Sequence, residues 1–409
     1  IVGVLKGVKG VVDAQPAGSL RRMRSTVGDL DILVASKDSK PVMEAFTKLS
    51  GLNRVLGRGE TKSSVEFNDG VRAQVWVHPP ERFGTALLYA TGSKDHNVRL
   101  RELALEKGLS LSEHALTKDK GDGDEILCAS EEEAYKVLGL PWIPPELRED
   151  RGEIQAAKAN KLPKLIEVKD IKADLQTHTT WSDGKLSVLE MAIAARKRGI
   201  KVIAFTDHSV SLGVTGGLSM ERHTEQQADI EAAQRELGDS IRILHASEVE
   251  IKADGSLDYP DEFLASLDLV VASLHTSLRQ PRERVTQRVL NAIRNPHVDI
   301  IGHPTGRLIP DREGADLDME ALLKAAAETG VALEINASPY RLDLDDVYAR
   351  RAKELGIPLS INTDSHSEAD FDMLPYGVAI ARRAWVEAKD VINAWPPAKL
   401  LDWLAKRGK

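Results

Sequence analysis

The chain has 409 residues, 42% of them hydrophobic and 29% charged, an ordinary globular composition that excludes disorder, collagen and coiled coil. At about 150 residues per domain, this length predicts two or three domains, each large enough to bury a core. Lys and Arg number 55 against 63 Asp and Glu, a formal charge of −8 that speaks against coating nucleic acid or anionic membrane by bulk electrostatics; a polyanion has to be met by local basic clusters or bound metal. The lone cysteine, Cys128, cannot form an internal disulfide and reads as intracellular. With no apolar run of about 18 residues and no signal-peptide pattern, the expectation is a cytoplasmic chain with no membrane partner, read as a monomer.

In chain order, the stretch up to Trp142 is α+β. It holds an apolar strand over Leu30–Val34, a hairpin turning at Asn68-Asp69-Gly70 between Ser64–Phe67 and Val71–Val77, and helices around Asn97–Lys107 and Glu131–Leu138. Pro144–Lys172, charged and poor in large apolar residues, reads as a connector with room for a short helix. From Ala173 onward short apolar runs alternate with amphipathic helices. The strands are Ala173–Thr177, Lys201–Thr206, Ile241–Val249, Leu269–Leu274, Asp299–Gly302, Val331–Asn336 and Pro358–Asn362. Between them lie helices such as Ser187–Arg198, Arg284–Arg294, Met319–Thr329 and Asp345–Leu355, several closed by a glycine (Gly199, Gly330, Gly356) as a C-cap requires. Seven βα units in a row predict a parallel sheet closed into a barrel.

Histidines and acids of this half fall at the C-terminal ends of the predicted strands. His178 and Asp183 follow the first strand, His208 the second, Glu248 the third, His275 the fourth, His303 the fifth, and Asp364 with His366 the seventh. In a barrel these ends converge on one face, and such a collection of imidazoles and carboxylates has enough donors for two or three divalent ions. Neighbouring ions of that kind suit phosphate-ester hydrolysis. His223, His245 and His297 have no comparable placement and read as solvent or packing residues.

The strings Asp-Leu-Gln-Thr-His-Thr-Thr-Trp-Ser-Asp-Gly at 174–184, Phe-Thr-Asp-His at 205–208, Ser-Leu-His at 273–275, Gly-His-Pro at 302–304 and Asn-Thr-Asp-Ser-His at 362–366 resemble the polymerase and histidinol phosphatase (PHP) domain. The resemblance implies a distorted seven-stranded (β/α)7 TIM-like barrel, a centre of up to three Mn2+ or Zn2+ ions, and phosphoesterase chemistry. It makes His178, Asp183, His208, Glu248, His275, His303, Asp364 and His366 ligands, with Glu248 bridging and catalytic. One position departs: the family opens with His-x-His, and Gln176 stands at the first histidine, an amide oxygen that is a poorer ligand than imidazole.

In the first half, Gly18-Ser19-Leu20-Arg21-Arg22 precedes Gly28-Asp29-Leu30-Asp31. Residues two apart share a strand face, so Asp29 and Asp31 can hold magnesium together, while the Gly-Ser turn and Arg22 suit phosphates. With Tyr89-Ala90-Thr91-Gly92-Ser93 and Asn97 these strings resemble family X DNA polymerases, here of the bacterial type joined to a PHP domain. That implies a palm over 1–83, a thumb over 84–142, a linker over 143–172 and a PHP domain over 173–409. Asp29 and Asp31 are then catalytic carboxylates holding Mg2+ or Mn2+. Gly18, Ser19, Arg22, Gly28, Tyr89, Gly92 and Asn97 form the nucleotide site. The implied partners are a dNTP and gapped or primer-template DNA with its 3′ end.

Two departures matter. The family's third catalytic aspartate falls on Gln74, which cannot replace a charged ligand, so nucleotide binding is expected with weakened transfer. The helix-hairpin-helix and lyase regions usual in the family are not found before Ile1. Among the basic runs, Arg279, Arg282 and Arg284, grouped with Arg288, follow His275 and are expected to form a rim for the DNA backbone. Together these features predict a DNA repair enzyme with a polymerase-like module and a metal-dependent 3′-5′ exonuclease. Alternatives are a phosphoesterase for small phosphates with a nucleotide-sensing front half, and a noncatalytic DNA-binding scaffold.

Overall fold

A computed structural model describes residues 1–118 and 123–407; residues 119–122 of the expected thumb and 408–409 of the expected PHP domain lie outside it. The chain divides into two compact units, Ile1–Leu162 and Pro163–Lys409.

The first unit is built on five strands: β1 (Val11–Pro16), β2 (Leu30–Ser36), β3 (Leu52–Arg58), β4 (Lys62–Phe67) and β5 (Arg72–His78), in the order β1-β2-β5-β4-β3. Only β2 and β5 pair in parallel; β4 and β5 form the hairpin expected at Asn68-Asp69-Gly70. Alternation along β2 sends Ile32 and Val34 to a core with Val42, Met43 and Phe46, and Leu33 and Ala35 to the opposite face, under Phe83, Ala86 and Leu87 of the helix Phe83–Thr91. Asp31 has the parity of Leu33, and Gln74 that of Trp76, so both lie on the second face.

Beyond the sheet come the helix Lys94–Glu106, a small antiparallel sheet of β6 (Leu109–Leu111), β7 (Leu116–Lys118) and β8 (Glu125–Ile126), and the helix Glu131–Val137, which starts on a capping box of Ser130 and Glu133. Part of the stretch expected as linker folds into this unit. The fully buried Arg148 donates to both Glu131 oxygens (2.6 and 2.9 Å) and to the Ile143 carbonyl (2.9 Å), and Glu153 meets His96 Nδ1 at 2.6 Å. Ile143, Leu147, Ile154 and Ala157 are buried beside these ion pairs; the few apolar anchors are scattered among charges, which is why the composition resembles a connector.

The second unit is a ring of seven parallel strands in sequence order: β9 (Ala173–Thr177), β10 (Val202–Phe205), β11 (Arg242–Glu250), β12 (Leu269–Ser273), β13 (Ile300–Gly302), β14 (Ala332–Asn336) and β15 (Leu359–Asn362). The ring is nearly closed where β15 meets β9: His178 N donates to Ser365 O at 2.8 Å, and Leu175 N to Asn362 Oδ1 at 3.0 Å. This is the expected distorted (β/α)7 TIM-like barrel. Apolar side chains such as Leu175, Leu244 and Val271 fill the interior, which packs against Leu400 and Leu404 of the helix Pro397–Lys406. The helix Met220–Leu237 is absent from the expected set. Its buried stripe, His223, Gln226, Ile230, Ala233 and Leu237, has helical spacing but is polar at two positions, which hides the period. Among the described residues, no helix is long and apolar enough to cross a membrane.

Candidate functional site

At the C-terminal mouth of the barrel, the loops after β9, β10, β12, β13 and β15 deliver the other expected donors to one place around Glu248, which lies within β11 itself. Its Oε1 lies 2.8 Å from His303 Nε2 and 3.3 Å from His275 Nε2; its Oε2 lies 3.0 Å from His208 Nδ1 and 3.7 Å from His178 Nε2. Asp364 Oδ1 is 3.0 Å from His178 Nε2, and Asp183 Oδ1 stands between His366 Nε2 (3.3 Å) and His208 Nε2 (3.6 Å). All eight predicted residues are therefore together. His178, Asp183, His208 and His366 converge tightly enough to share one ion, and so do His208, Glu248 and His275. Glu248, with an oxygen toward each flank, has the placement of a bridge.

The donors fit a metal centre on their own chemistry. His178 Nδ1, His303 Nδ1 and Gln176 Oε1 are buried with no hydrogen-bond partner, a cost of about 1–3 kcal/mol per group that a cation relieves only where a lone pair is directed at it. Burial lowers the basicity of His208, but Glu248 and Asp183 outweigh it and raise its pKa to about 10; His366, likewise opposed by burial, is raised by Asp183 and Asp364 to about 9. A field that favours imidazolium so strongly favours a divalent cation. His303 and Asp364 have φ of 25° and 55°, positive values rare outside glycine and frequent where function holds the backbone. Gln176 sends its amide the opposite way, Nε2 donating to Glu248 Oε1 at 3.1 Å.

Several supporting carboxylates escaped sequence reasoning. Glu250 accepts from His275 Nδ1 (2.8 Å) and N (3.1 Å) and from Thr276 Oγ1 (2.7 Å), orienting that ring. Asp207 accepts from Thr179 N (2.9 Å) and Ser182 Oγ (2.6 Å) and shapes the loop that carries Asp183. Glu334, fully buried, accepts from His303 N (2.7 Å) and Asn362 Nδ2 (2.8 Å); burial, then the neighbouring Asp364, pushes its carboxyl well above the usual range. For Glu250 and Glu334 the available signal was an acid inside an apolar strand.

In the first unit, Asp29 and Asp31 stand beside Gln74, which pairs with Asp31 in the β2–β5 register. Gln74 Nε2 donates to Asp29 Oδ2 at 2.8 Å. Burial and the charge of Asp29 raise the Asp31 carboxyl to about 6, so this pair also fits a cation. Gly18 has φ +60°, and a Cβ there would lie 2.2 Å from Asp31 Oδ2, so only glycine lets the turn approach the carboxylate. Ser19 follows in the helix Gly18–Arg21. Arg22 donates to Thr91 O at 2.6 Å and to Glu149 at 3.1 Å, and Gly92 packs on its guanidinium. Asn97 Nδ2 donates to the carbonyl of the half-exposed Tyr89 at 2.8 Å. Gly28 precedes Asp29 in open space. Gly18 and Arg22 thus lie by the acidic pair, with Gly92 against Arg22.

Arg279, Arg282 and Arg284 are exposed at the start of the helix Arg282–Arg294, where Arg282 pairs with Asp316 at 3.2 Å. Arg288, grouped with them by sequence, is buried instead, its guanidinium spent on the carbonyls of Lys252, Thr276 and Ser277. His223 and His245 face each other at 3.4 Å outside the metal cluster.

Family models match on both sides of the unit boundary: the DNA polymerase beta thumb over residues 86–149 and the PHP domain over 174–338. A Bacillus subtilis protein named DNA polymerase/3′-5′ exonuclease PolX is 42% identical over 386 residues, 94% of this chain and 67% of its own length. Proteins named Probable phosphatase from Thermoanaerobacter and Shewanella are each 32% identical over 54% and 58% of this chain, and 89% and 92% of their own. The chain belongs to the family X DNA polymerases that carry a PHP domain, and is an enzyme of that class.

Proposed function

We propose that the chain processes DNA 3′ ends in repair, its PHP unit acting as a metal-dependent 3′-5′ exonuclease and its palm holding a nucleotide with weakened capacity to transfer it. The observation that carries the first half is the Glu248-centred cluster. His178, Asp183, His208, Glu248, His275, His303, Asp364 and His366 would hold up to three Mn2+ or Zn2+ ions. Such ions, when bound, supply water activation and stabilise the charge of the departing oxygen. The chain's own part is orientation: Glu250 fixes the His275 ring, Asp207 the loop of Asp183, and Glu334 the backbone at His303. Exposed Arg279, Arg282 and Arg284 supply cationic contacts to the DNA backbone on the His275 side.

In the palm, Ser19, Arg22 and the turn at Gly18 and Gly28 take the triphosphate of a dNTP, Tyr89, Gly92 and Asn97 its nucleoside, and Asp29 with Asp31 the accompanying Mg2+ or Mn2+. The amide of Gln74 puts a donor on Asp29 where a third carboxylate is needed to accept the primer hydroxyl's proton. The likeness to proteins named Probable phosphatase supports a second reading, hydrolysis of small phosphates with the palm as a nucleotide sensor. Incubation of a labelled primer-template with Mn2+, with and without dNTPs, separates them. Shortening is expected without dNTPs and little extension with them; an intact primer beside hydrolysed p-nitrophenyl phosphate favours the second reading.

A further inference from the structure

The loop after β14 reaches over the proposed metal cluster and is braced from the neighbouring loop. Asp343 accepts from Thr305 N (2.9 Å), Thr305 Oγ1 (2.9 Å) and Gly306 N (3.0 Å), while Arg307 donates to the carbonyls of Arg341 (2.7 Å) and Leu342. This holds Arg341 with Nε 3.5 Å from Asp364 Oδ2, and its Nη1 has no hydrogen-bond partner. Arg312, next to it, spends its donors on the Gly306 carbonyl. Three guanidiniums thus gather at one lip of the site: Arg341 beside Asp364, Arg307 beside the buried Asp343 carboxylate, and Arg312 on the Gly306 carbonyl. The residue before Arg341 is Tyr340, 64% exposed, its backbone carbonyl fixed by Ile309 N at 2.6 Å. An aromatic ring left in water on a rigid loop, one residue from a cation at the reacting centre, has the composition of a surface for an unstacked base and its phosphates.

We infer that Tyr340 is a stacking platform for a base near the end of a single nucleic-acid strand, with Arg341 meeting the adjoining phosphate. It deepens the exonuclease reading and rests on it: this lip makes the PHP unit prefer a polynucleotide end over a small phosphate ester. Duplex bases, already stacked on each other, cannot use the ring, so the end must be frayed or single-stranded. A small ester reaches the cluster without touching Tyr340.

The test uses the full-length, Mn2+-loaded chain and compares kcat/KM for a single-stranded oligonucleotide with that for bis(p-nitrophenyl) phosphate. Tyr340→Ala is expected to lower that ratio about tenfold through KM, as the loss of one base stack predicts, and Tyr340→Trp to restore it. Tyr376→Ala, at another exposed tyrosine of the unit, is the control and leaves the ratio unchanged. An unchanged ratio in Tyr340→Ala overturns the inference while leaving the exonuclease reading intact. If the wild-type chain hydrolyses neither substrate, the exonuclease reading falls, and photocrosslinking of a 3′-terminal 5-iodouracil oligonucleotide decides the platform separately. A crosslinked Tyr340 peptide supports it, and crosslinks confined to other peptides overturn it.

Discussion

Gln74 and Gln176 share a chemistry: each places an amide N–H on a carboxylate that a divalent ion wants for itself. In the palm, Gln74→Asp removes the donor and adds a base beside the primer hydroxyl. Gap-filling synthesis should rise by about 10²-fold, the low end of a positioned general base, measured as single-nucleotide extension. In the barrel, Gln176→His replaces a weak oxygen donor by imidazole. Metal analysis after Mn2+ loading should then show about one more ion per chain than the wild type. Both glutamines were legible only through the family resemblance, which says what residue type each motif position is expected to hold. Glu250, Asp207 and Glu334 were not, since a supporting carboxylate is defined by what it touches in space, and each occupies a strand or turn position that an acid also fills without function.

The stretch after the helix Glu131–Val137 shows how an element can be secured by buried charge as well as by apolar side chains. Its hold is the Arg148–Glu131 pair, joined by Arg21 at 2.7 Å and Trp142 at 2.9 Å, inside the first unit. Burial alone would raise the Glu131 carboxyl, but Arg148 and Arg21 outweigh it and hold its pKa at about 2, against an ordinary 4.5. A carboxyl depressed in the folded state contributes stability that is complete above about pH 4.5 and lost as pH falls toward 2. The contribution is about 3 kcal/mol. Thermal unfolding between pH 5 and 2.5 should show this loss in the wild type and a flatter profile in Glu131→Gln. Sequence patterning reads elements through apolar periodicity, so it located the hairpin and the barrel strands within a residue or two. It passed over this ionic anchor and the polar-striped helix Met220–Leu237 for the same reason.

At the scale of the molecule, two units with separate cores carry the two proposed cation sites. A ligand that binds only the folded form stabilises it, by about 2.7 kcal/mol at a hundredfold excess over Kd. Calorimetry with Mn2+ and then with a chelator should therefore lower the transition that contains the barrel far more than the one that contains the palm; a shift confined to the palm transition would argue against metal at the Glu248 cluster. The formal charge of −8, unpromising for a DNA-binding chain, is reached partly through acids gathered at these two sites, where bound cations would offset them. The closure of the barrel also has a temporal side. His178 follows the first strand and Asp364 the last, 186 residues apart along the chain, and they meet only at the β9–β15 seam. A ribosome making this protein releases the first ligand long before the last, so an emerging chain holds no complete centre. An ion shared by His178, Asp183, His208 and His366 would enter only as a late clasp on a barrel already assembled, and its grip would be felt as slower unfolding rather than faster folding.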